Sequence, residues 1–167
     1  MRQIHTVLLT TLLSVLASLA GAADDKTTPR AIAVIDFNYS DTSGEPRDQR
    51  REHETRLAAF MSALRSDLAQ RGFRVVAPTC RPAPCALSDG RIPDLVAAAR
   101  DAGADILLVG GIQKMSTLVQ WAKVEAIDVR AERVVLDKLY TFRGDSDEAW
   151  QKAEAFIARQ LAELSHP

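Results

Sequence analysis

Ala31-Ile32-Ala33-Val34-Ile35-Asp36-Phe37 is the stretch that decides the fold. All but Asp36 are apolar, and Ile32, Val34 and Ile35 are β-branched. The run has the length of a strand and no polar alternation, the pattern of a strand covered on both faces. Two more runs of this kind follow, Phe73-Arg74-Val75-Val76-Ala77 and Ala104-Asp105-Ile106-Leu107-Leu108-Val109. Between the first and second, from Glu52 to Arg71, apolar residues fall at Leu57, Phe60, Met61, Leu64 and Leu68. Spacings of three and four mark one face of an amphipathic helix, and Gly72 closes it. Between the second and third, Asp94 to Ala102 is an Ala-rich helix with Pro93 at its start and Gly103 at its end. Strands joined by helical crossovers predict a parallel sheet with helices on both faces, and its first strand is taken as central.

The chain changes character after Gly110. Asn38 to Asp48, rich in Ser, Asp, Gly and Pro, reads as a loop. Residues 112–142 are β-rich with interleaved charges. Gly111 to Leu118 continues the third strand or starts a new one; Trp121 to Val129 and Arg133 to Phe142 flank a turn at Ala131-Glu132. Asp145-Ser146-Asp147-Glu148 opens a last helix, with Asp145 as N-cap and Glu148 three residues on, the form of a capping box. The expected class is therefore α/β: one domain over residues 31–165, a mixed and mostly parallel sheet, helices on both faces, and a C-terminal β-hairpin plus helix.

Upstream, Arg2, an apolar run from Val7 to Leu19 and Ala20-Gly21-Ala22 have the order of a cleavable signal peptide. The run is too short to span a bilayer, which takes about 20 residues. Residues 1–22 are expected to be removed, leaving a linker over 23–30 and a periplasmic protein. No Cys follows the small residues, and no membrane span is expected in the mature form. The 47% apolar and 26% charged residues are ordinary for a globular chain. A net charge of −1 offers no field for nucleic acid or anionic lipid.

Cys80 and Cys85 enclose Arg81-Pro82-Ala83-Pro84. In an exported protein so close a pair reads as a disulfide. Free thiols are the weaker reading. A redox motif has two residues between its cysteines rather than four, and a zinc site needs further ligands.

Several stretches resemble TolB amino-terminal-like domains: Ala33-Val34-Ile35-Asp36-Phe37, the helix from Leu64 through Gly72 into Val76, and Ala102 to Gly110. Phe142-Arg143-Gly144-Asp145 with Asp147, Glu148 and Trp150 resembles a small secreted bacterial family of unknown function within that superfamily. The resemblance covers nearly the whole mature chain. It implies a periplasmic interaction or accessory module without catalytic residues or cofactor, whose partner is another periplasmic or envelope protein.

The search for chemistry returns little. His53 lies between Glu52 and Glu54 and reads as a solvated surface histidine; no nucleophile motif accompanies it. Gly110-Gly111 lacks the Lys and spacing of a phosphate loop and reads as a turn or bulge. Asp145, Asp147 and Glu148 read as helix-start acids rather than calcium ligands. Arg47, Arg50 and Arg51 alternate with acids and read as a solvated loop. One place stands out. Parallel α/β sheets bind ligands beyond the carboxyl ends of their strands. There Asp36, Asn38 and Tyr39 would meet the Cys80–Cys85 loop and Gly110-Gly111. A ligand contact at Asp36 competes with simple capping of local amides. Trp121, on an expected edge strand, is the candidate contact for a protein partner. Two functions follow: a non-catalytic interaction or assembly module, or a small-molecule sensor or carrier using the strand-end crevice. The exported protein is expected to begin near Ala23 on N-terminal sequencing; a mature chain starting at Met1 would refute the leader.

Overall fold

Ala31 to Val34 form β1, and all four residues are buried. The structure, a computed structural model, describes residues 28–81, 83–87 and 91–165. The leader over 1–22 and residues 23–27 lie outside the described residues. The remaining elements are β2 (Asn38–Asp41), α1 (Arg50–Gln70), β3 (Arg74–Val76), α2 (Ile92–Asp101), β4 (Ile106–Lys114), β5 (Val119–Asp128), β6 (Arg133–Arg143) and α3 (Asp147–Ala162). They make one mixed sheet in the order β3-β1-β4-β5-β6, with β2 paired to β4.

The lack of alternation in β1 has the expected cause. Ile32 and Val34 join a core with Phe60, Leu64 and Leu68 of α1 and Trp150, Ile157 and Leu161 of α3. Ala33 and Ile35 face the other way, into a second core with Leu95, Val96 and Ala99 of α2. The α1 crossover thus lies on one face and the α2 crossover on the other, as parallel β1–β3 and β1–β4 pairing requires. α3 returns to pack beside α1.

Three expectations change. The central strand is β4, not β1: β4 carries β1 and β2 along one edge and β5 along the other. The loop read from Asn38 contains β2, where Asn38 to Asp41 pair in parallel with Gly111 to Lys114. Asn-Tyr-Ser-Asp has poor strand propensity, and the long β4 edge overrides it. β4 therefore runs straight through Gly110-Gly111, and β5 and β6 follow as an antiparallel meander.

The helix cap is also reassigned. Ser146, not Asp145, is the N-cap of α3; its Oγ accepts from the Ala149 N–H at 3.3 Å. Glu148 pairs with Lys152 at 2.6 Å instead of closing a capping box. Asp145 is drawn inward by buried donors described below.

Cys80 and Cys85 form a disulfide, and both pack against the α2 core. Trp150 is 2% exposed and has Tyr39, Phe60 and Phe142 around it at ring-centre distances of 5.9, 6.1 and 6.0 Å. Removing such a side chain leaves a cavity that its neighbours cannot close. Trp150→Ala is expected to cost about 3–5 kcal/mol. Trp121, half-buried, should cost far less. Thermal melts of the two variants measure the difference; equal midpoints would contradict it.

Candidate functional site

Alternation along β2, β4, β5 and β6 gives this half of the sheet two different surfaces. Tyr39, Ile112, Ala122 and Val124 point toward α1 and α3. Asn38, Gly111, Gln113, Trp121, Lys123 and Leu139 point the other way, as their strand pairing dictates. α2 covers only the far half of that second surface, over Leu107, Val109 and Ile127. Among the described residues no element covers the rest. It holds a shallow depression of about 240 Å³ floored by Gly110, Gly111 and Trp121, with Asn38, Lys123 and Leu139 around it. Leu139 is 53% exposed, and Lys123 pairs with Asp137 and Glu125 beside it.

The two glycines exist for close approach, not for a turn. A Cβ on Gly111 would lie 2.0 Å from Asn38 Oδ1, and one on Gly110 2.5 Å from the Lys123 carbonyl oxygen and 2.7 Å from the Phe37 ring. Gly111 lets the Asn38 amide fold over β4, and Gly110 lets Phe37 pass into the core.

The structure brings Asn38, Gly110, Gly111 and Trp121 together and separates the other two site residues. Asp36 lies in a different cleft, with the disulfide loop, and accepts from Arg65 Nη2 at 2.5 Å. Tyr39 points through to the opposite side, stacked on His53 at 4.6 Å. The strand-end residues are thus split between two depressions: Asp36 and the disulfide loop line a cleft beyond β1 and β3, while Asn38, Gly110 and Gly111 line the one beside Trp121.

Behind this surface lies a charge cluster that the sequence reading did not anticipate. Asp145 accepts from His53 Nε2 at 2.8 Å, Lys114 Nζ at 2.8 Å, Arg56 Nη1 at 3.0 Å and Gln120 Nε2 at 3.2 Å. Lys114 also donates to Glu45 at 2.7 Å and to Gln49. His53, Lys114 and Gln120 are each 1% exposed or less. His53 is therefore not a solvated surface residue. Its position extends the α1 stripe, four residues before Leu57, and that spacing was the available signal. Lys114 and Gln120 likewise continue the inward parity of Ile112 and Ala122.

Burial alone would push the Asp145 carboxyl up. Hydrogen bonds and charge from Lys114 and His53 outweigh it and hold the carboxyl at about 2. Burial would likewise pull Lys114 down, but Asp145 and Glu45 leave it raised. The His53 ring, stacked on Tyr39 with Nε2 on Asp145, presents no exposed edge to a substrate. Among the described residues no group of three or more His, Cys, Asp or Glu side chains could hold a metal ion. The cluster can fix a structure; the open face can make contacts.

Residues 30–161 match the family DUF3280, described as a protein of unknown function (DUF2380). The chain belongs to that family. No curated protein matches it at a significant level. Among solved structures, the PelC dodecamer from Paraburkholderia phytofirmans is similar over 82% of this chain and 88% of its own, with 19% identity and a TM-score of 0.52. Lipoprotein GNA1162 from Neisseria meningitidis matches over 83% and 98%, with 12% identity and a TM-score of 0.52. TolB from Acinetobacter baumannii matches over 80% of this chain and 28% of its own, with 16% identity and a TM-score of 0.47. For PelC and GNA1162, at these identities, the likeness is one of fold.

The cluster makes a testable demand of this DUF3280 chain. Lys114→Met removes one partner of a buried ion pair and is expected to cost about 3–5 kcal/mol at neutral pH. The depressed Asp145 carboxyl contributes stability that is full above its ordinary value of 3.8 and is lost as pH falls through about 2. The stability gap between wild type and Asp145→Asn should therefore close over that window. Urea melts at neutral pH and near pH 2 measure both; a gap independent of pH would refute the assignment.

Proposed function

We propose that this DUF3280 chain is a non-catalytic periplasmic module that binds another envelope protein through the uncovered face of β2, β4, β5 and β6. The carrying observation is that face itself. β4 and β5 bury their inner side chains and leave Trp121 outside, with Leu139 of β6 beside it and no covering element among the described residues. Aromatic and aliphatic side chains ringed by polar groups are the composition of a contact surface. Lys123, Glu125 and Asp137 supply such a rim.

Three further points support the reading. The leader pattern at residues 1–22 would deliver the chain to the periplasm, and among the described residues no helix is long and apolar enough to cross a membrane. The fold is shared with a lipoprotein, GNA1162, and with PelC, a dodecamer, so it occurs both in lipid-linked and in assembled proteins. The stretches Ala33–Phe37, Leu64–Val76 and Ala102–Gly110 resemble TolB amino-terminal-like domains in sequence. The absence of catalysis is part of the proposal and rests on His53, whose ring is enclosed by Tyr39 and Asp145. The carrier reading would use the separate cleft of Asp36 and the disulfide loop, which Asn38 and Gly111 do not line.

The test is site-specific photocrosslinking in the periplasm. A photoreactive residue at Leu139 should yield one discrete protein adduct, and Trp121→Ala should reduce that adduct at least about tenfold, as for an interface hot spot. A probe at Ser62, exposed on α1, should give none. Equal adducts from both positions, or none from Leu139, would overturn the assignment of this face.

A further inference from the structure

β6 forms one edge of the sheet: it pairs with β5 and, among the described residues, with nothing on its other side. Antiparallel pairing alternates, so each residue's backbone groups bond to one neighbour only. The Gly144 N–H donates to the Leu118 carbonyl at 3.0 Å, and across β5 the Met115 N–H donates to the Val119 carbonyl at 2.9 Å. This phase turns the backbone groups of Lys138, Tyr140 and Phe142 toward β5. The N–H and C=O groups of Asp137, Leu139, Thr141 and Arg143 point outward from the edge.

Native edge strands are usually blunted by shortness, proline or a bulge. β6 has 11 residues and no proline. Its irregularity lies opposite Ala126 and Ile127, so Leu136 to Arg143 keep an unbroken register. Apolar side chains flank that length on both faces of the sheet. Leu139 stands half in solvent on the outer face. On the inner face Phe156 of α3 is 45% exposed, with Tyr140 edge-on to it at 5.9 Å. The charges beside the edge are mostly positive. Lys138 and Arg143 of β6 and Arg159 of α3 enter no ion pair among the described residues, and Arg159 lies over the Phe156 ring at 5.6 Å. Asp137 is already held by Lys123, which leaves Glu163, near Tyr140, as the opposing acid.

We propose that β6 receives an extended acidic segment of the partner protein as a further strand of the sheet, which rests on the reading of the β2, β4, β5 and β6 face as a protein-binding surface. Strand addition draws affinity from main-chain hydrogen bonds and specificity from alternate side chains. Here Asp137, Leu139, Thr141 and Arg143 supply the main-chain groups. Carboxylates of the added strand meet Lys138, Arg143 and Arg159, and its aliphatic side chains cover Leu139 or Phe156. A second copy of this chain is the wrong occupant, because two β6 edges would double the cations along one seam. Lysine at an edge guards against a like strand and leaves an acidic one free to add.

The probe is the peptide acetyl-Glu-Val-Glu-Val-Glu-Val-amide, titrated into ¹⁵N-labelled mature protein. The amide signals of Asp137, Leu139, Thr141 and Arg143 are expected to shift saturably and to exchange more slowly with solvent. N-methylation of all Val amides or of all Glu amides should abolish binding in one series only, the signature of a strand bonded along one side. Lys in place of Glu in the peptide, or Lys138→Glu in the protein, should weaken binding at least about tenfold. Thr141→Pro removes an outward N–H, leaves the β5 ladder intact and should weaken it similarly. The proposal is overturned by absence of a saturable shift, by N-methylation acting alike in both series, by equal binding of the Lys peptide, or by a dimer in sedimentation that Thr141→Pro dissolves. Periplasmic crosslinking separates edge from face. A Leu139 adduct that falls with Trp121→Ala but survives Thr141→Pro keeps the face and overturns strand addition.

Discussion

The Asp145 carboxylate accepts hydrogen bonds from α1 through His53 and Arg56, from β4 through Lys114 and from β5 through Gln120. It sits on the turn that leads into α3. One charge therefore ties together a helix, two strands and the entry of the last helix. Such a cluster is not the most stabilising way to fill a core; well-packed apolar side chains often do as well or better. It does constrain the alternatives. Lys114 cannot leave Asp145 without losing one of its two carboxylate partners, and Asp145 cannot swing out to cap α3 without leaving the buried His53 Nε2 unpaired. Ser146 takes the cap as a consequence.

The glycine pair solves a different problem on the same strand. Beyond Val34 the chain does not turn away from the sheet; it runs on beside β4 as β2. Phe37 must pass into the core and Asn38 must lie flat above β4, and both pass at distances that a Cβ would block. Gly110 and Gly111 make β2 possible. β2 in turn brings Tyr39 over His53 and keeps Asn38 apart from the cleft of Asp36 and the disulfide loop.

Most of the fold was legible because β1, β3 and β4 carry the plain signal of strands covered on both faces and α1 carries a helical stripe. What escaped was polar. Asn38 to Asp41 look like a loop because their strand character comes from pairing, which no local pattern records. His53 looks solvated because Glu52 and Glu54 flank it, although it continues the inward phase of α1; Lys114 and Gln120 show their burial only through the inward phase of β4 and β5. Asp145 reads as a cap because a carboxylate just before a helix usually serves as one, whereas here Ser146 takes that place. Four of the six proposed contact residues did meet in space: Asn38, Gly110, Gly111 and Trp121. Sheet parity alone explains why Tyr39, next to Asn38, went to the other side.

That parity also separates the duties of the two faces. A slip of one residue in β4 or β5 would turn Lys114 and Gln120 outward and carry Gln113 and Trp121 into the core, where Asp145 would have no donor from either strand. The register is thus specified from inside, by groups that must find one another. The outer residues carry little of that burden. Lys123, Glu125 and Asp137 are surface pairs that contribute little to stability, and Leu139 is half in solvent. A face released from folding duty can change its contacts without endangering the sheet. For that reason the outer surface, and not the strongly bonded cluster behind it, is where a partner's specificity would be written.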